Sequence, residues 1–432
     1  MKKKILLYVI AFISTVLLVL LILFFIKQRN TKKVEVNIEE TTTTTETTTT
    51  TTIEETTTLP SIEPYIKLKN TSIYSYQTLK DIIEETNMQI TNSNISLNTE
   101  VIGTHEITIK YNDNNVEKEY KTSYKTIDNV KPMFLTAAGT VNVLLGDTSN
   151  PCDAINIADN YTKVPTCKIE GNYNTNELGS YKVKYVISDE NGNTNEKNLT
   201  INVLSAFPEP QPVTPKPTPP PTEFSSIVNK FKSNKTEFGI DVSKWQGDID
   251  YNKVKNAGAT FVLMRIAVSN KPDEALATDS KYYQNIERAK AAGLKVGVYV
   301  YTSAINDEQA RETARYVVNA LQGASLDYPI VYDWENWKHF REYQISIHDL
   351  NNTFIAFSDE LKKHNLSSML YGSKYYLENM WEPRIKNSFP IWLAHYTSSQ
   401  TSYAGKYKFW QICSDGKIDG INGNVDIDIL YK

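Results

Sequence analysis

Hydrophobic and polar positions follow a different rhythm in each part of the chain. Ile5 to Ile26 is an unbroken apolar run whose most polar residues are Ser14 and Thr15. At 1.5 Å rise per residue, a helix of that length covers the roughly 30 Å core of a bilayer. Lys2, Lys3 and Lys4 precede the run and Lys27 follows it, with no small-residue cleavage site at its end. That favours an uncleaved signal-anchor over a removed signal peptide. Glu39 to Pro60 is mostly threonine with a few glutamates, has almost nothing apolar to bury, and reads as an extended stalk. Period-two alternation then begins, as in Glu106-Ile107-Thr108-Ile109-Lys110-Tyr111 and Tyr181-Lys182-Val183-Lys184-Tyr185-Val186. Asn98 to Gly103 matches Asn174 to Gly179 at a fixed offset, and Asp113 and Asn115 match Asp189 and Asn191. Alternation with glycine and Asp/Asn turns predicts two related antiparallel β-sandwich modules.

The prolines between Phe207 and Thr222 favour a semi-rigid polyproline spacer. Beyond it, short apolar runs alternate with helical stretches. Strands are predicted at Phe238–Ser243, Thr260–Ile266, Lys295–Tyr301, Pro329–Glu335 and Ser368–Tyr371. Helices are predicted at Tyr282–Ala292, Glu308–Leu321 and Ile347–His364, and Asp250 is placed to cap a short helix. Phe389–His395, Tyr407–Ile412 and Val425–Leu430 read as strands with little helix between them. Repeated strand–helix units imply a parallel sheet closed as a TIM-like α/β barrel. The expected organisation is therefore multidomain. It runs as a cytoplasmic tip and transmembrane helix (1–33), a stalk (34–64), a degenerate all-β module (65–127) and a second all-β module (128–204). A linker (205–224) and the barrel (225–432) follow.

Composition narrows the class. A formal net charge of -4 leaves no broad basic surface for nucleic acid. The three cysteines, Cys152, Cys167 and Cys413, are too few for a disulfide-built scaffold. Cys152 and Cys167 are close enough in sequence to pair in an oxidising compartment, although spacing does not fix the geometry. No cofactor or metal is called for.

Candidate chemistry centres on Ile330-Val331-Tyr332-Asp333-Trp334-Glu335. On a strand the i, i+2 spacing puts Asp333 and Glu335 on one face and Trp334 on the other. Two acids at the C-terminal end of a barrel strand suit glycosidic cleavage, one giving a proton and the other remaining ionised. A lone acid-x-acid motif also fits a helix cap or a pair with arginine. Asp241 near the end of strand one and Asp426 in the last strand add two further acids that a closed barrel brings near. Tyr299, Tyr301, Tyr332, Trp392, Tyr396 and Trp410 fall at the same strand ends, as sugar-stacking rings or as barrel core. Gln411 is a candidate hydroxyl partner. Arg265 is a candidate for touching substrate or pairing with an acid.

Gly239-Ile240-Asp241-Val242-Ser243-Lys244-Trp245-Gln246-Gly247, followed by Ile249-Asp250-Tyr251, resembles the opening of family 25 glycoside hydrolases, the bacterial and phage muramidases. The likeness continues through Gly297–Tyr301, Tyr332–Glu335, Ile391–His395 and Phe409–Gln411. It departs after strand two, where Ile266-Ala267-Val268-Ser269-Asn270 replaces a common Ala-Thr-Glu-Gly. The resemblance implies an eight-stranded barrel whose last strands lack full helices. It implies cleavage of peptidoglycan glycan strands between N-acetylmuramic acid and N-acetylglucosamine. It assigns catalysis to Glu335, Asp333, Asp241 and Asp426, with Glu335 as general acid, and leaves retention and inversion open. Residues 128–204 separately resemble bacterial immunoglobulin-like spacer modules. The expected location is the bacterial membrane, N-terminus inside, with the later domains out in the wall. A chitinase-like hydrolase and an inactive wall-binding module are the rival readings; chitinases carry a further acid where this chain has Val331.

Overall fold

The computed structural model describes residues 60–136, 138–208 and 220–432. The expected membrane-spanning helix and threonine-rich stalk lie outside the described residues, apart from the stalk's last few. Among the described residues no helix is long and apolar enough to cross a membrane.

The two modules correct the expectation of all-β antiparallel sandwiches. In the first, a hairpin of Gly103–Asp113 and Val116–Ile127 carries Gln89–Ile90 on one edge. Thr71–Ser72 runs parallel on the other edge. The helical turn Leu79–Ile82 buries Leu79 and Ile82 in the same small core as Ile109 and Tyr111. In the second, the hairpin Gly179–Ser188 and Thr194–Leu204 carries Thr166–Glu170 antiparallel and Thr140–Leu144 parallel. A 3-10 turn at Pro151–Ala154 packs over it. The repeat seen in sequence is thus a repeat of mixed four-stranded sheets, with Gly103 and Gly179 opening equivalent hairpins. Cys152 and Cys167 form a disulfide with Cα atoms 5.9 Å apart, and Cys413 is free and buried.

The C-terminal domain closes a ring of eight strands. They are Thr236–Val242, Phe261–Val268, Lys295–Tyr301, Ile330–Asp333, Ser368–Ser373, Ile391–Ala394, Phe409–Lys417 and Val425–Tyr431. Neighbours from the first to the seventh pair in parallel. The eighth lies antiparallel to both the seventh and the first. This corrects the expected TIM-like α/β architecture to a β-rich, barrel-like fold. An antiparallel strand needs only a short turn, and the last connection, from the seventh strand to the eighth, accordingly holds no helix.

The helices that do form carry good caps. Asn306 accepts from the Gln309 backbone N–H ahead of Asp307–Leu321. Ser346 and Asp349 make a reciprocal capping box ahead of Ile347–Lys362. Alternation along each strand divides the core in two. Ile240, Val262, Val298, Tyr332, Leu393 and Trp410 face the helices and loops outside. Phe261, Leu263, Tyr299, Val331, Met369, Trp392, Phe409 and Leu430 fill the interior. Gly239 leaves the space that the Phe261 ring occupies, so the barrel floor is packed. With the interior filled, the inward-facing acids of these strands, Asp241, Asp333 and Asp426, lie toward the C-terminal mouth.

Candidate active site

Inward-facing positions at the mouth carry the acids. Asp241 on the first strand lies directly opposite Asp426 on the eighth. Asp428, two residues further along, points to the same interior. Gln411 Nε2 donates to Asp241 Oδ2 at 2.8 Å, and its Oε1 accepts from the hydroxyls of Tyr371 and Tyr396, each at 2.9 Å. The amide orientation is thereby fixed, and Gln411 is buried: it holds Asp241 rather than opening to solvent. Trp392 Nε1 donates to Asp428 Oδ1 at 2.7 Å, and the Asp428 carboxyl also hydrogen-bonds that of Asp241.

Burial, then the charges of Asp426 and Asp428, lifts the Asp241 carboxyl well above the usual range, against the Gln411 hydrogen bond. Burial lifts Asp428 as well, and pushes Asp426 up to about 6. Three carboxyls this close cannot all ionise, so the seam between the first and last strands holds protons at neutral pH.

Across the mouth, the fourth strand ends at Asp333. Glu335 continues just past the strand end, and Trp334 turns outward, donating from Nε1 to Ala304 O at 3.0 Å. The side chains of Asp333 and Glu335 hydrogen-bond each other. Asp333 is buried at 6% exposure with Oδ1 unpartnered, whereas Glu335 is open to solvent at the mouth. Burial and then the Glu335 charge raise Asp333 well above the ordinary range, with Arg265 opposing. Burial chiefly raises Glu335, helped by the charge of Asp426 and opposed by the hydrogen bond from Asp333. Glu335 borders a cavity of about 540 Å³ with Trp337, Tyr371, Tyr376, His395 and Tyr396. Asp241, Asp333 and Asp426 do not line that cavity.

The four predicted acids therefore meet at one end of the barrel. The fields of Asp241, Asp333 and Asp426 all reach Tyr299, and those of Asp426, Asp241 and Glu335 all reach Tyr396. The proposed sugar-contacting rings divide. Tyr396 is 55% exposed at the cavity, and Tyr301 is half-buried beside Glu335 and Asp333. Tyr299 and Trp392 lie inside the barrel beneath the acids, edge to face. Tyr332 and Trp410 face outward, Tyr332 against Phe354 and Phe357 and Trp410 against Phe231. Trp392 and Trp410 are thus core residues in this structure, because alternation points one inward below the mouth and the other away from it. Arg265 pairs with the buried Asp279, at 2.9 Å from Nε and 2.8 Å from an Nη atom.

Sequence reasoning missed Asp428, although Val425-Asp426-Ile427-Asp428 carries the same i, i+2 signal as Asp333 and Glu335. It also missed Trp337 and Tyr376, which stack at 3.9 Å on the cavity wall. They come from loop and helix, where no period marks a facing direction.

Paired carboxyls at the mouth of a closed barrel, one of them open to a ring-lined cavity, are an arrangement suited to cleaving glycosidic bonds. The particular likeness is narrower: residues 240–421 match the model for glycosyl hydrolases family 25. The autolytic lysozyme of Clostridium acetobutylicum is 32% identical over 192 residues, 44% of this chain and 54% of that protein. Lysozyme M1 of Streptomyces globisporus is 27% identical over 202 residues, 44% of this chain and 65% of that protein. The chain thus spans about half the length of the clostridial relative. Among solved structures, the bacterial lysozyme from Streptomyces coelicolor shares 25% identity over 45% of this chain and 92% of its own, with a TM-score of 0.40.

Proposed function

We propose that this chain is a peptidoglycan hydrolase that cuts the β-1,4 bond from N-acetylmuramic acid to N-acetylglucosamine. The observation that carries the reading is the unequal setting of two touching acids. Glu335 has a raised pKa and opens to the ring-lined cavity, while Asp333 lies buried behind it. A glycan lying in the cavity stacks sugar faces on Tyr396 and neighbouring rings, and sets its scissile oxygen against Glu335.

In this reading the pair shares one proton, held at rest on the more strongly raised Asp333 and passed through their hydrogen bond to Glu335, which gives it to the leaving oxygen as the bond to the anomeric carbon breaks. Asp333, with its free Oδ1, then carries the negative charge that steadies the oxocarbenium-like centre or orients the 2-acetamido group. Direct hydrogen bonding between the two acids leaves no space for water between them. The attacking group is therefore either the acetamide itself, giving retention, or a water held by Asp426 at the opposite wall, giving inversion. Asp241, fixed by Gln411, keeps Asp426 in place.

The substrate puts the barrel outside the cell, in the wall. Retention at the membrane through the apolar residues 5–26 is part of the proposal and rests on their sequence alone, as does spacing by the two modules.

Zymography with the full chain tests the reading. Wild type clears a peptidoglycan gel and Glu335→Gln does not. Binding without clearing by the wild type would favour an inactive wall-binding module, and equal clearing by both would remove Glu335 from its role.

A further inference from the structure

Away from the barrel mouth, three acids meet at the junction of the two modules. Asp128 follows the last strand of the first module, Asp159 follows the strand Ile157–Ala158, and Asp189 opens the hairpin turn after Gly179–Ser188. All three are buried, at 8%, 1% and 8% exposure. One oxygen from each lies within 4.8 Å of the others. Oxygens bound to one calcium ion at about 2.4 Å can be no further apart than about twice that distance.

Two orphan atoms at this place point to a ligand. Asp159 Oδ2 is held by the backbone N–H groups of Tyr161 and Thr162, at 2.9 and 2.7 Å, but its Oδ1 is buried with no partner. Asn160, whose Nδ2 reaches Asp128 at 3.5 Å, leaves its own Oδ1 buried and unpartnered. Buried polar atoms without partners are rare, and two beside three carboxylates are rarer. The charges acting on Asp128 and Asp159 are those of the other acids in the cluster, so the group repels itself.

We propose that Asp128, Asp159 and Asp189, with the amide oxygen of Asn160, bind a calcium ion that locks this junction. The donors are all oxygen, which selects a hard cation over zinc or copper. They are protein oxygens in a buried place, which suits calcium better than magnesium, an ion that keeps several waters. The turns already hold the carboxylates ready: Asp189 Oδ1 accepts from the Asn191 and Asn193 N–H groups at 2.9 and 2.8 Å. Asp128 Oδ2 accepts from Asn191 Nδ2 at 3.1 Å.

The consequence reaches the barrel. The backbone carbonyls of Asp159 and Asn160 accept from Ile347 and His348 in the first turn of the barrel helix Ile347–Lys362, at 2.8 and 3.2 Å. His348 also stacks on Tyr74 of the first module at 3.5 Å. A cation here stiffens the loop through which both modules meet the barrel.

The test is calorimetric titration of the EGTA-stripped full chain, in detergent, with calcium chloride. Wild type is expected to take up one calcium with a dissociation constant below about 1 mM, within the range of extracellular modules. An Asp159→Asn/Asp189→Asn chain is expected to bind at least about tenfold more weakly. Calcium is also expected to slow proteolysis between residues 127 and 133. If the double variant does not fold, Asp128→Asn is titrated in its place, with the same weakening expected. Wild type without saturable uptake, variants that bind as wild type does, or equal affinity for magnesium would overturn the proposal.

Discussion

Glu335 and Asp333 are chemically similar but are set apart by less than one turn of chain. Glu335 sits past the end of its strand and meets solvent; Asp333 is the last strand residue and does not. Replacing Glu335 by Gln removes the proton but keeps the shape. Cleavage is expected to fall by about 10²–10⁴-fold with the fold unchanged, read by turbidity loss of purified wall and circular dichroism. The pH dependence follows from the same residues. The pair works with one proton between its two acids, so kcat/KM falls on the alkaline side as that proton is lost. Burial and the Asp426 charge place that limb above the ordinary glutamate value. Asp426→Asn removes one of those causes, and the alkaline limb is expected to move to lower pH. A limb that stays or moves upward would remove the coupling between the two walls of the mouth.

Among the elements, strand alternation decides which residues do chemistry and which do packing. The Asp-x-Asp of the eighth strand buries Asp428, whose carboxyl is lifted well above its unfolded value. A group raised on folding stabilises below its unfolded pKa, and that contribution is lost as pH rises toward its folded pKa. Stability should therefore decline from about pH 4 upward, by about 1.4 kcal/mol per pH unit for such a group. Asp428→Asn removes the term, and a flatter plot of Tm against pH is expected. The most buried and the most exposed members of the ring set behave oppositely. Trp410→Ala opens a cavity between the barrel wall and Phe231 and is expected to cost about 3–5 kcal/mol of stability. Tyr396→Ala is expected to raise KM with little change in Tm.

Much of this was legible in the chain. Period two along Asp333–Glu335 and in the first strand placed the acids on inward faces, and the order of βα units placed them at one mouth. Three things were not legible. The antiparallel eighth strand looks like any other apolar run, since direction leaves no mark on alternation. The burial of Trp392 depends on its depth below the mouth, which sequence does not carry. The helical turn at Leu79–Ile82 and the parallel edge strands of the modules are too short to show a period.

For the whole molecule, the modules are small and each needs reinforcement. The Cys152–Cys167 bridge closes a short loop, and loop-closure entropy assigns about 3 kcal/mol to a bridge of that span. Cys152→Ser is expected to lower the stability of the second module by that order. Thermal unfolding with and without reductant checks it, and the barrel transition should move less. The modules also touch the barrel: Tyr76 donates to Glu382 at 2.8 Å, and His348 Nδ1 meets the same carboxylate at 2.7 Å. This junction, with its cluster of three acids, ties the modules to the barrel.

The central claim is that the barrel mouth cuts one particular bond in the glycan. Purified peptidoglycan is digested with the full chain, and the sugar at each newly formed reducing end is identified by borohydride reduction and mass analysis. The account predicts reduced N-acetylmuramic acid at the new ends, and none formed by Glu335→Gln. New ends carrying reduced N-acetylglucosamine, or no new ends from the wild type, would contradict it.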